Sequence, residues 1–406
     1  MAKTNTARAD ATEDFRLGRQ PLHQVAAWLI VVVTILFVSL PLDVKPMMEL
    51  SLLVALIGAT VVFAPRGAIP RLRIGLSAVV FLMVWMLSVV WSASPAIWWF
   101  EFRFYAAYIG AVTVATSSLS PRGVKHALLF AVYVAVAANV FASITDASTH
   151  QGVGGAGWRG AFVHKNAMGA FMGIAIVTAL AFDRRPVRKW AATIAALILL
   201  LLSRSATAAA LVVVAVPALW SMRQFGSVTP RRAATRFATV AGLALTLAIA
   251  GATQAPTVLD VYGKDLTFSS RTDIWTETIP YIRERPLFGW GAGVWRRRGI
   301  SPAIDINEAL GFQTAHAHNA GVETMLTLGL VGFLAFVFFW MSALRAGWRA
   351  AQAGLDEGAW TVAICIMLGL WGLSEITTPF HVALMTLGLI LSIGLMPDRY
   401  RSIVAA

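Results

Sequence analysis

Residues 314–340 read TAHAHNAGVETMLTLGLVGFLAFVFFW. From Ala320 onward this stretch is almost entirely apolar for about 20 residues, the length of a helix that crosses the hydrocarbon core of a bilayer. Two histidines and an asparagine, His316, His318 and Asn319, stand directly before the apolar run. The stretch therefore predicts a membrane helix with a polar, titratable segment at its N-terminal end.

The composition of the whole chain agrees with this prediction. Of its 406 residues, 58% are hydrophobic and only 13% are charged, whereas soluble domains carry roughly 25% charged residues. Such a chain cannot cover itself with a water-soluble surface, so we predict an all-α integral membrane protein. The single cysteine, Cys365, excludes an internal disulfide and a cysteine-based metal site.

Twelve apolar runs are long enough to be membrane helices. They are residues 23–40, 47–64, 74–92, 97–118, 124–145, 161–182, 188–202, 205–222, 235–252, 319–344, 358–374 and 380–396. The seventh and eighth are separated only by Ser203, Arg204 and Ser205. A single helix over 188–222 would be about 52 Å long, which exceeds a hydrocarbon core of about 30 Å. We therefore predict a tight reversal at these three residues.

Lysine and arginine residues set the expected orientation. With a cytoplasmic N-terminus, most of the 33 Lys and Arg residues fall in short loops on the cytoplasmic side, and the short loops on the other side are nearly free of them. The net charge of +13 then reflects membrane topology and not a nucleic-acid-binding surface. We predict three parts: spans one to nine in 1–252, a periplasmic loop with amphipathic helices in 253–318, and spans ten to twelve in 319–406, with both termini cytoplasmic.

The long loop has its own helical pattern. Ile274, Trp275, Thr278 and Ile282 recur at helical spacing, which predicts an amphipathic helix over 271–284. Pro286 is expected to end this helix, and the glycines that follow are expected to form a turn. No strand precedes these glycines and no GKS or GKT follows, so they do not form a nucleotide-binding loop.

Several cations stand out because the topology puts them on the same side of the membrane as His316 and His318. They are Arg204 at the predicted reversal, Arg271 at the start of the amphipathic helix, and Arg159 and Lys165 at the beginning of the sixth span. A charge at such a position is costly and usually functional, and guanidinium groups match phosphate oxygens bidentately. These cations beside a hydrophobic bundle indicate a site for a lipid diphosphate, and a neutral histidine there can act as a general base.

The same cations and histidines also allow roles without catalysis. Each cation could extend to the interface or pair with Glu101, Glu323 or Glu375. The two histidines could bind zinc on an extended segment, although no cluster of further ligands accompanies them. They could also be interfacial histidines without a chemical role.

Four motifs resemble one family, the O-antigen ligase and polysaccharide polymerase superfamily of bacterial inner membranes. The first is His318-Asn319 followed, after nine residues, by a Gly-x-x-Gly end at 329–332. The second is the loop sequence SSRTDIW at 269–275 with RPLFGWG at 285–291. WRGAFVHKN at 158–166 and WSASP at 91–95 are similar to the exopolysaccharide-production polymerases of the succinoglycan type. One departure is Ala208, which stands where an Arg-x-x-x-Leu element starting at Arg204 would have leucine.

The resemblance implies a GT-C-like membrane glycosyltransferase of the inner membrane that works without a cofactor or metal on the periplasmic face. Its donor would be a glycan on undecaprenyl diphosphate, and its product would form with inversion. Arg204 and Arg271 would hold the diphosphate, and His318 would deprotonate the acceptor hydroxyl. The expected substrate-binding residues are Arg159, Lys165, Asn166, Trp275, His316 and Asn319.

The resemblance leaves three functions to compare. A polymerase of exopolysaccharide or O-antigen repeat units is favoured by the motifs at 158–166 and 91–95. A ligase would transfer the glycan to lipid A core instead. A transporter or flippase for a lipid-linked glycan is the third alternative, although transporters place their charged sites near the midplane and often show internal repeats. Expected partners are the glycan donor, a glycan or lipid A core acceptor, membrane lipid and a chain-length regulator, with no nucleic acid.

Overall fold

The structure is a computed structural model. It describes residues 17–39, 46–64, 76–92, 95–146, 150–152, 155–162, 164–224, 271–296 and 302–375, together with isolated positions between 232 and 242. Most of the ninth predicted span, the twelfth span and the first part of the long loop lie outside these residues.

The described residues are almost entirely helical. Their α-helices are α1 (Leu22–Ser39), α2 (Pro46–Val62), α3 (Leu76–Leu87), α4 (Pro95–Ser118), α5 (Pro121–Thr145), α6 (Lys165–Phe182), α7 (Pro186–Leu202), α8 (Ala206–Arg223), α9 (Arg271–Glu284), α10 (Pro302–Leu310), α11 (Ala320–Gln352) and α12 (Asp356–Trp371). Short 3₁₀ helices cover Leu17–Arg19, Ser88–Val90 and Val294–Arg296. The two-residue strands β1 (Gln151–Gly152) and β2 (Gly155–Ala156) pair antiparallel, with Gln151 opposite Ala156.

Ten of the predicted spans fall within the described residues, and each coincides with one of the helices α1–α8, α11 and α12. By length and composition, α5, α6, α8 and α11 are apolar enough to cross a membrane, and shorter apolar helices lie in α1, α2 and α3. This arrangement fits an integral membrane all-α protein. The total of twelve spans stays a prediction.

The reversal between the seventh and eighth spans is confirmed. Helix α7 ends at Leu202, and α8 begins at Ala206 with the Ser205 hydroxyl accepting from the Ala208 N–H as its cap. Ser203 lies against Gly169 near the start of α6, whereas Arg223 at the end of α8 donates to the Leu180 carbonyl near the end of α6. Helix α8 therefore runs parallel to α6, and α7 runs antiparallel to both.

One end of this bundle is held by ion pairs. They are Lys125–Glu357 at 2.7 Å, Arg223–Asp356 at 2.8 Å and Arg188–Asp183 at 2.6 Å. Helix α12 begins at this end and packs against α6, α8 and α11. The residues that follow it, from Gly372 to Glu375, therefore lie at the opposite end, where α11 begins.

Close helix packing holds α11 against α12. A Cβ added to Gly347 would lie 2.6 Å from the Thr361 side chain, and one added to Gly369 would lie 2.7 Å from the Trp340 ring. Small residues allow such close approach between membrane helices, where dispersion and not hydrophobic transfer drives association. This packing fixes the start of α11 relative to the end of α12.

Helix α11 is interrupted by the loop that follows α9. Gly329 has φ 65° and ψ −164°, a backbone conformation confined to glycine, so the helical hydrogen bonds break there. The loop replaces them, because the N–H groups of Trp290 and Gly291 donate to the carbonyls of Leu326 and Thr327 at 2.9 and 2.8 Å. In return, the N–H groups of Leu330 and Val331 donate to the carbonyls of Pro286 and Leu287 at 2.8 and 3.1 Å.

These four bonds join two of the sequence motifs into one structural unit. The glycine-rich end of the His-Asn motif at 329–332 is the position into which the loop motif at 285–291 inserts. The Trp91 indole N–H also donates to the Phe288 carbonyl at 2.8 Å, and the Ser92 hydroxyl donates to the Ala292 carbonyl at 2.9 Å. The loop is therefore attached both to α11 and to the segment after α3.

Candidate active site

The histidine segment before α11 is tightly folded. His318 has a positive φ of 50°, which is uncommon for a residue other than glycine. The turn around it is held by Asn307, whose amide oxygen accepts from the Thr314 N–H at 2.8 Å, and by Glu323, whose carboxylate accepts from the Ala317 N–H at 2.9 Å. The surrounding bonds therefore hold His318 in a conformation that the free chain would rarely adopt.

Asn319 caps α11. Its amide oxygen accepts from the N–H groups of Gly321 and Val322, and its amide nitrogen donates to the Leu373 carbonyl at 3.1 Å. Both polar atoms of the side chain are thus engaged with the protein. In this arrangement Asn319 connects the start of α11 to the end of α12.

His318 and Arg271 both contact the carboxylate of Glu375. The Arg271 guanidinium donates to Oε1 at 2.7 Å, and His318 Nδ1 lies 3.1 Å from Oε2. Because an ionised carboxylate only accepts hydrogen bonds, this contact places a proton on Nδ1, and in the neutral imidazole it leaves Nε2 as an acceptor. Of the alternatives drawn from the sequence, pairing with an acidic residue is therefore the one observed for Arg271.

The protonation of Glu375 follows from its surroundings. Its side chain is only 15% exposed, and burial alone would raise the carboxyl pKa. The hydrogen bond from His318 and the nearby Arg271 cation outweigh burial, so the pKa of Glu375 lies below its ordinary value. Glu375 is therefore ionised at neutral pH and carries the negative charge that links these residues.

The start of α6 contributes to the same cluster. The Asn166 amide donates to Glu375 Oε1 at 3.4 Å, and the Asn166 N–H donates to His164 Nδ1 at 3.1 Å. Burial lowers the pKa of His164, and the negative charge of Glu375 opposes that shift. Lys165, the first residue of α6, is only 4% exposed. The predicted topology puts the start of the sixth span on the side of His318, and the Glu375 contact of Asn166 agrees with it.

Helix α9 supports the histidine segment directly. Ile274 and Thr278 are buried on its inner face, which agrees with the predicted amphipathic pattern. Trp275 lies one turn after Arg271, and its indole N–H donates to the Ala317 carbonyl at 2.8 Å. One face of α9 therefore holds Arg271 against Glu375 and Trp275 against the backbone beside His318.

His316 lies beside His318 with 3.9 Å between the ring centroids. Its Nδ1 accepts from the His318 N–H at 3.3 Å. In the part of the chain that the structure describes, no group of three or more His, Cys, Asp or Glu residues is arranged to hold a metal ion. His316 is thus a close neighbour of His318 and of Glu375.

The two remaining arginines lie at the same end of the bundle. Arg204 is exposed at the turn between α7 and α8, with a positive φ of 51°. Within the described residues, its guanidinium is in no hydrogen bond or ion pair. Arg159 donates to the Phe162 carbonyl at 3.2 Å. The Trp158 N–H donates to the Leu202 carbonyl, so this segment packs against the turn that carries Arg204.

Glu375 is the residue to which sequence reasoning gives too little weight. The sequence marks it only as one of several acidic residues that could neutralise a cation. Its position, directly after an apolar run and on the same side as the histidines, is the signal that points to a larger role. The side chain of Glu101 lies outside the described residues, and Glu323 is buried beneath the histidine segment.

Comparison with known proteins finds matches to part of this chain. Residues 190–337 match the family described as O-antigen ligase. The chain is also 27% identical over 190 residues to the exopolysaccharide production protein ExoQ of Rhizobium meliloti (strain 1021), a match that spans 43% of this chain and 43% of that relative. These matches confirm the resemblance to the O-antigen ligase and polysaccharide polymerase superfamily.

The O-antigen ligase match contains only part of the site. It includes Arg204, Arg271 and His318, together with the loop that interrupts α11. Asn166 and Glu375 lie outside it, Asn166 in the first turn of α6 and Glu375 just after α12. The contacts of these two residues with the rest of the site come from the tertiary structure alone.

Proposed function

We propose that this protein is a membrane glycosyltransferase that polymerises repeat units of an exopolysaccharide or O-antigen. The donor would be a glycan on undecaprenyl diphosphate, and the acceptor would be a sugar hydroxyl of another lipid-linked glycan, on the periplasmic face of the inner membrane. The observation that carries the proposal is the bridge that Glu375 forms between His318 and Arg271. It joins a general base and an anion-binding cation through one ionised group.

In the proposed reaction, His318 Nε2 takes the proton of the acceptor hydroxyl as the oxygen attacks the anomeric carbon. The bond between that carbon and the diphosphate oxygen breaks, and the electron pair leaves with the diphosphate. Attack from the face opposite the leaving group inverts the anomeric configuration. Glu375 would hold the imidazole in the tautomer that can accept this proton.

Arg271 and Arg204 would stabilise the charge that develops on the leaving diphosphate. A guanidinium carries five N–H donors, and Arg271 contacts Glu375 through Nη2. The remaining donors of Arg271 can therefore form hydrogen bonds to a phosphate. Arg204 is exposed and, among the described residues, has no carboxylate partner. Arg159, Lys165, Asn166, Trp275, His316 and Asn319 remain predicted substrate-binding residues, although Trp275 and Asn319 also support the site through the backbone contacts described above.

The similarity to an exopolysaccharide production protein favours a polymerase over a ligase that would use lipid A core. A transporter or flippase for the same lipid remains the competing function. The cluster lies at one end of the helical bundle and not at its midpoint, which favours transfer over transport.

The test is a reaction in detergent, where no sealed compartment exists. Purified protein is mixed with a lipid-diphosphate glycan donor and a glycan acceptor, and products are separated on a polysaccharide gel. We expect a longer glycan with the native protein and none with His318→Ala or Arg271→Ala, while His316→Ala keeps part of the activity because His318 still supplies the base. All three variants must be present in the membrane at the native level. Binding of donor without any new glycosidic product would refute a transferase.

A further inference from the structure

The loop that interrupts α11 has a surface that the proposed reaction does not use. Leu287 and Phe288 are 54% and 52% exposed, although both are large and apolar. They lie at the tip of the loop beside Gly329, and the backbone of Leu287 contacts that glycine directly. An apolar tip on a segment that the sequence assigns to an aqueous loop needs a partner.

The depth of Gly329 in the bilayer can be obtained from α11. Between Glu323 and the exposed Arg345, no charged residue occurs. A hydrocarbon core of about 30 Å corresponds to about 20 helical residues, and counted from Arg345 it reaches Met325. Gly329 would then lie about 6 Å inside the core, and a tilt of the helix would place it deeper. The loop forms hydrogen bonds with Leu326, Thr327, Leu330 and Val331, so it lies at the same depth.

The exposed apolar surface is continuous from the helix to the loop. On α11, exposed Leu330, Leu334, Phe338 and Met341 form one stripe along the helix. Leu287 and Phe288 extend this stripe at its upper end, where the Leu287 carbonyl accepts from the Val331 N–H. The Trp91 ring packs on Phe288 with 5.4 Å between centroids. Tryptophan is typical of the interface between hydrocarbon and headgroups.

Protein groups satisfy the backbone carbonyls at the tip of the loop and the Gly289 N–H. The carbonyls of Pro286 and Leu287 accept from α11, the Phe288 carbonyl accepts from Trp91, and the Gly289 N–H donates to the Arg285 carbonyl. Non-helical backbone is tolerated at membrane depth only when protein groups satisfy it in this way. A loop exposed only to water would not require these bonds.

We propose that the loop tip, Pro286–Gly289, is embedded in the bilayer leaflet on the His318 side, with Leu287 and Phe288 in contact with lipid acyl chains. The charged residues just before it, Arg283, Glu284 and Arg285, are exposed and remain in water, with the Arg285 guanidinium over the Trp290 ring. The tip thereby anchors α9, which carries Arg271, to the membrane at a set depth. This inference does not depend on the reaction that the site performs.

Fluorescence quenching tests the embedding. Cys365 is the single cysteine and is fully buried, so it is first replaced by alanine. Single cysteines are then introduced one at a time into this Cys365→Ala protein. They are Leu287→Cys at the tip, Leu334→Cys on the α11 stripe and Glu284→Cys as the aqueous control. Leu287 and Leu334 are similarly exposed, at 54% and 56%. Each variant is labelled with an NBD fluorophore and placed in phosphatidylcholine nanodiscs that contain no polyprenyl lipid.

Phosphatidylcholine with a nitroxide on its acyl chain should quench Leu287→Cys and Leu334→Cys several-fold more than Glu284→Cys, and aqueous iodide should show the reverse order. Iodide quenching of Leu287→Cys equal to that of Glu284→Cys would overturn the proposal, because the tip would lie in water. Resistance of Leu287→Cys to both quenchers would also overturn it, since a second copy of the chain or another protein segment would then cover the tip.

Discussion

Glu375→Gln isolates the role of the bridging carboxylate with almost no change in side-chain volume. The amide keeps one oxygen that can accept from Arg271, but it presents an NH₂ group in place of the second oxygen. That group can donate to His318 Nδ1 only if Nδ1 is unprotonated. The imidazole proton then moves to Nε2, and His318 loses the acceptor that a general base requires.

The magnitude follows from the contribution of general base catalysis, which is typically about 10²–10⁴-fold. The imidazole remains in place, because the His318 N–H still donates to His316 Nδ1 and the two rings pack with 3.9 Å between their centroids. We therefore expect kcat to fall by about 10²–10³-fold, which corresponds to about 2.7–4 kcal/mol of transition-state stabilisation. KM for the donor should change much less, because Arg204 is unchanged and Arg271 can still donate to the amide oxygen that replaces the carboxylate oxygen.

The assay is the detergent reaction with lipid-diphosphate glycan, in which kcat and KM are measured separately. Glu308→Gln is the matched control, because Glu308 is exposed on α10 and has no contact with the histidine segment in the described structure. Glu375→Asp restores the carboxylate at a shorter reach and should recover part of the rate. If Glu375→Gln stays within about two-fold of the native kcat, the proposed role of the carboxylate in positioning His318 is wrong.

Three further predictions concern stability. Gly329→Ala should lower the free energy of unfolding by at least about 1–3 kcal/mol, because its positive φ is strained for alanine and the new Cβ would overlap the Leu287 backbone. Gly354 also has a positive φ but has open space around it, so Gly354→Ala should cause a smaller loss in the same thermal melt. Asn319→Ala should cost about 0.5–2 kcal/mol through the lost helix cap, and equal melting of Asn319→Ala and native protein would contradict the capping role. Since the pKa of Glu375 is lowered on folding, its contribution to stability is complete above its unfolded pKa of about 4.3 and is lost as pH falls through the folded pKa. Native protein should therefore lose more stability on acidification than Glu375→Gln does, and identical pH profiles of melting would contradict this assignment.

Much of the local structure could be predicted from the sequence. The helix over 271–284 and its end before Pro286, the reversal around Arg204 and the cap at Asn319 all follow from short-range patterns. Each depends on residues within a few positions of one another, through helical periodicity, proline geometry or a side chain that satisfies nearby backbone groups. The count of spans between His318, Arg204 and Arg271 predicts that all three lie on the same side of the membrane.

The contacts that assemble the site could not be obtained in this way. Glu375 is 57 residues from His318 and 104 residues from Arg271 in the chain, and no spacing rule connects them. The break at Gly329 was likewise invisible, because 320–340 has the composition of an uninterrupted membrane helix. Only the pairing of Leu326, Thr327, Leu330 and Val331 with the loop shows that the helix opens there and why it can do so in an apolar environment.

Hydropathy and charge patterns along the chain are enough to predict a helical membrane protein with a histidine and several arginines on one side of the membrane. The tertiary structure decided which of those residues meet and in what form. In the folded protein, the largely buried, ionised Glu375 lies between His318 and Arg271. The loop at 286–291 supplies hydrogen bonds where those of α11 are interrupted. Such partners are chosen by the packing of distant helices, where an unpaired charge or an unsatisfied backbone group is too costly to remain.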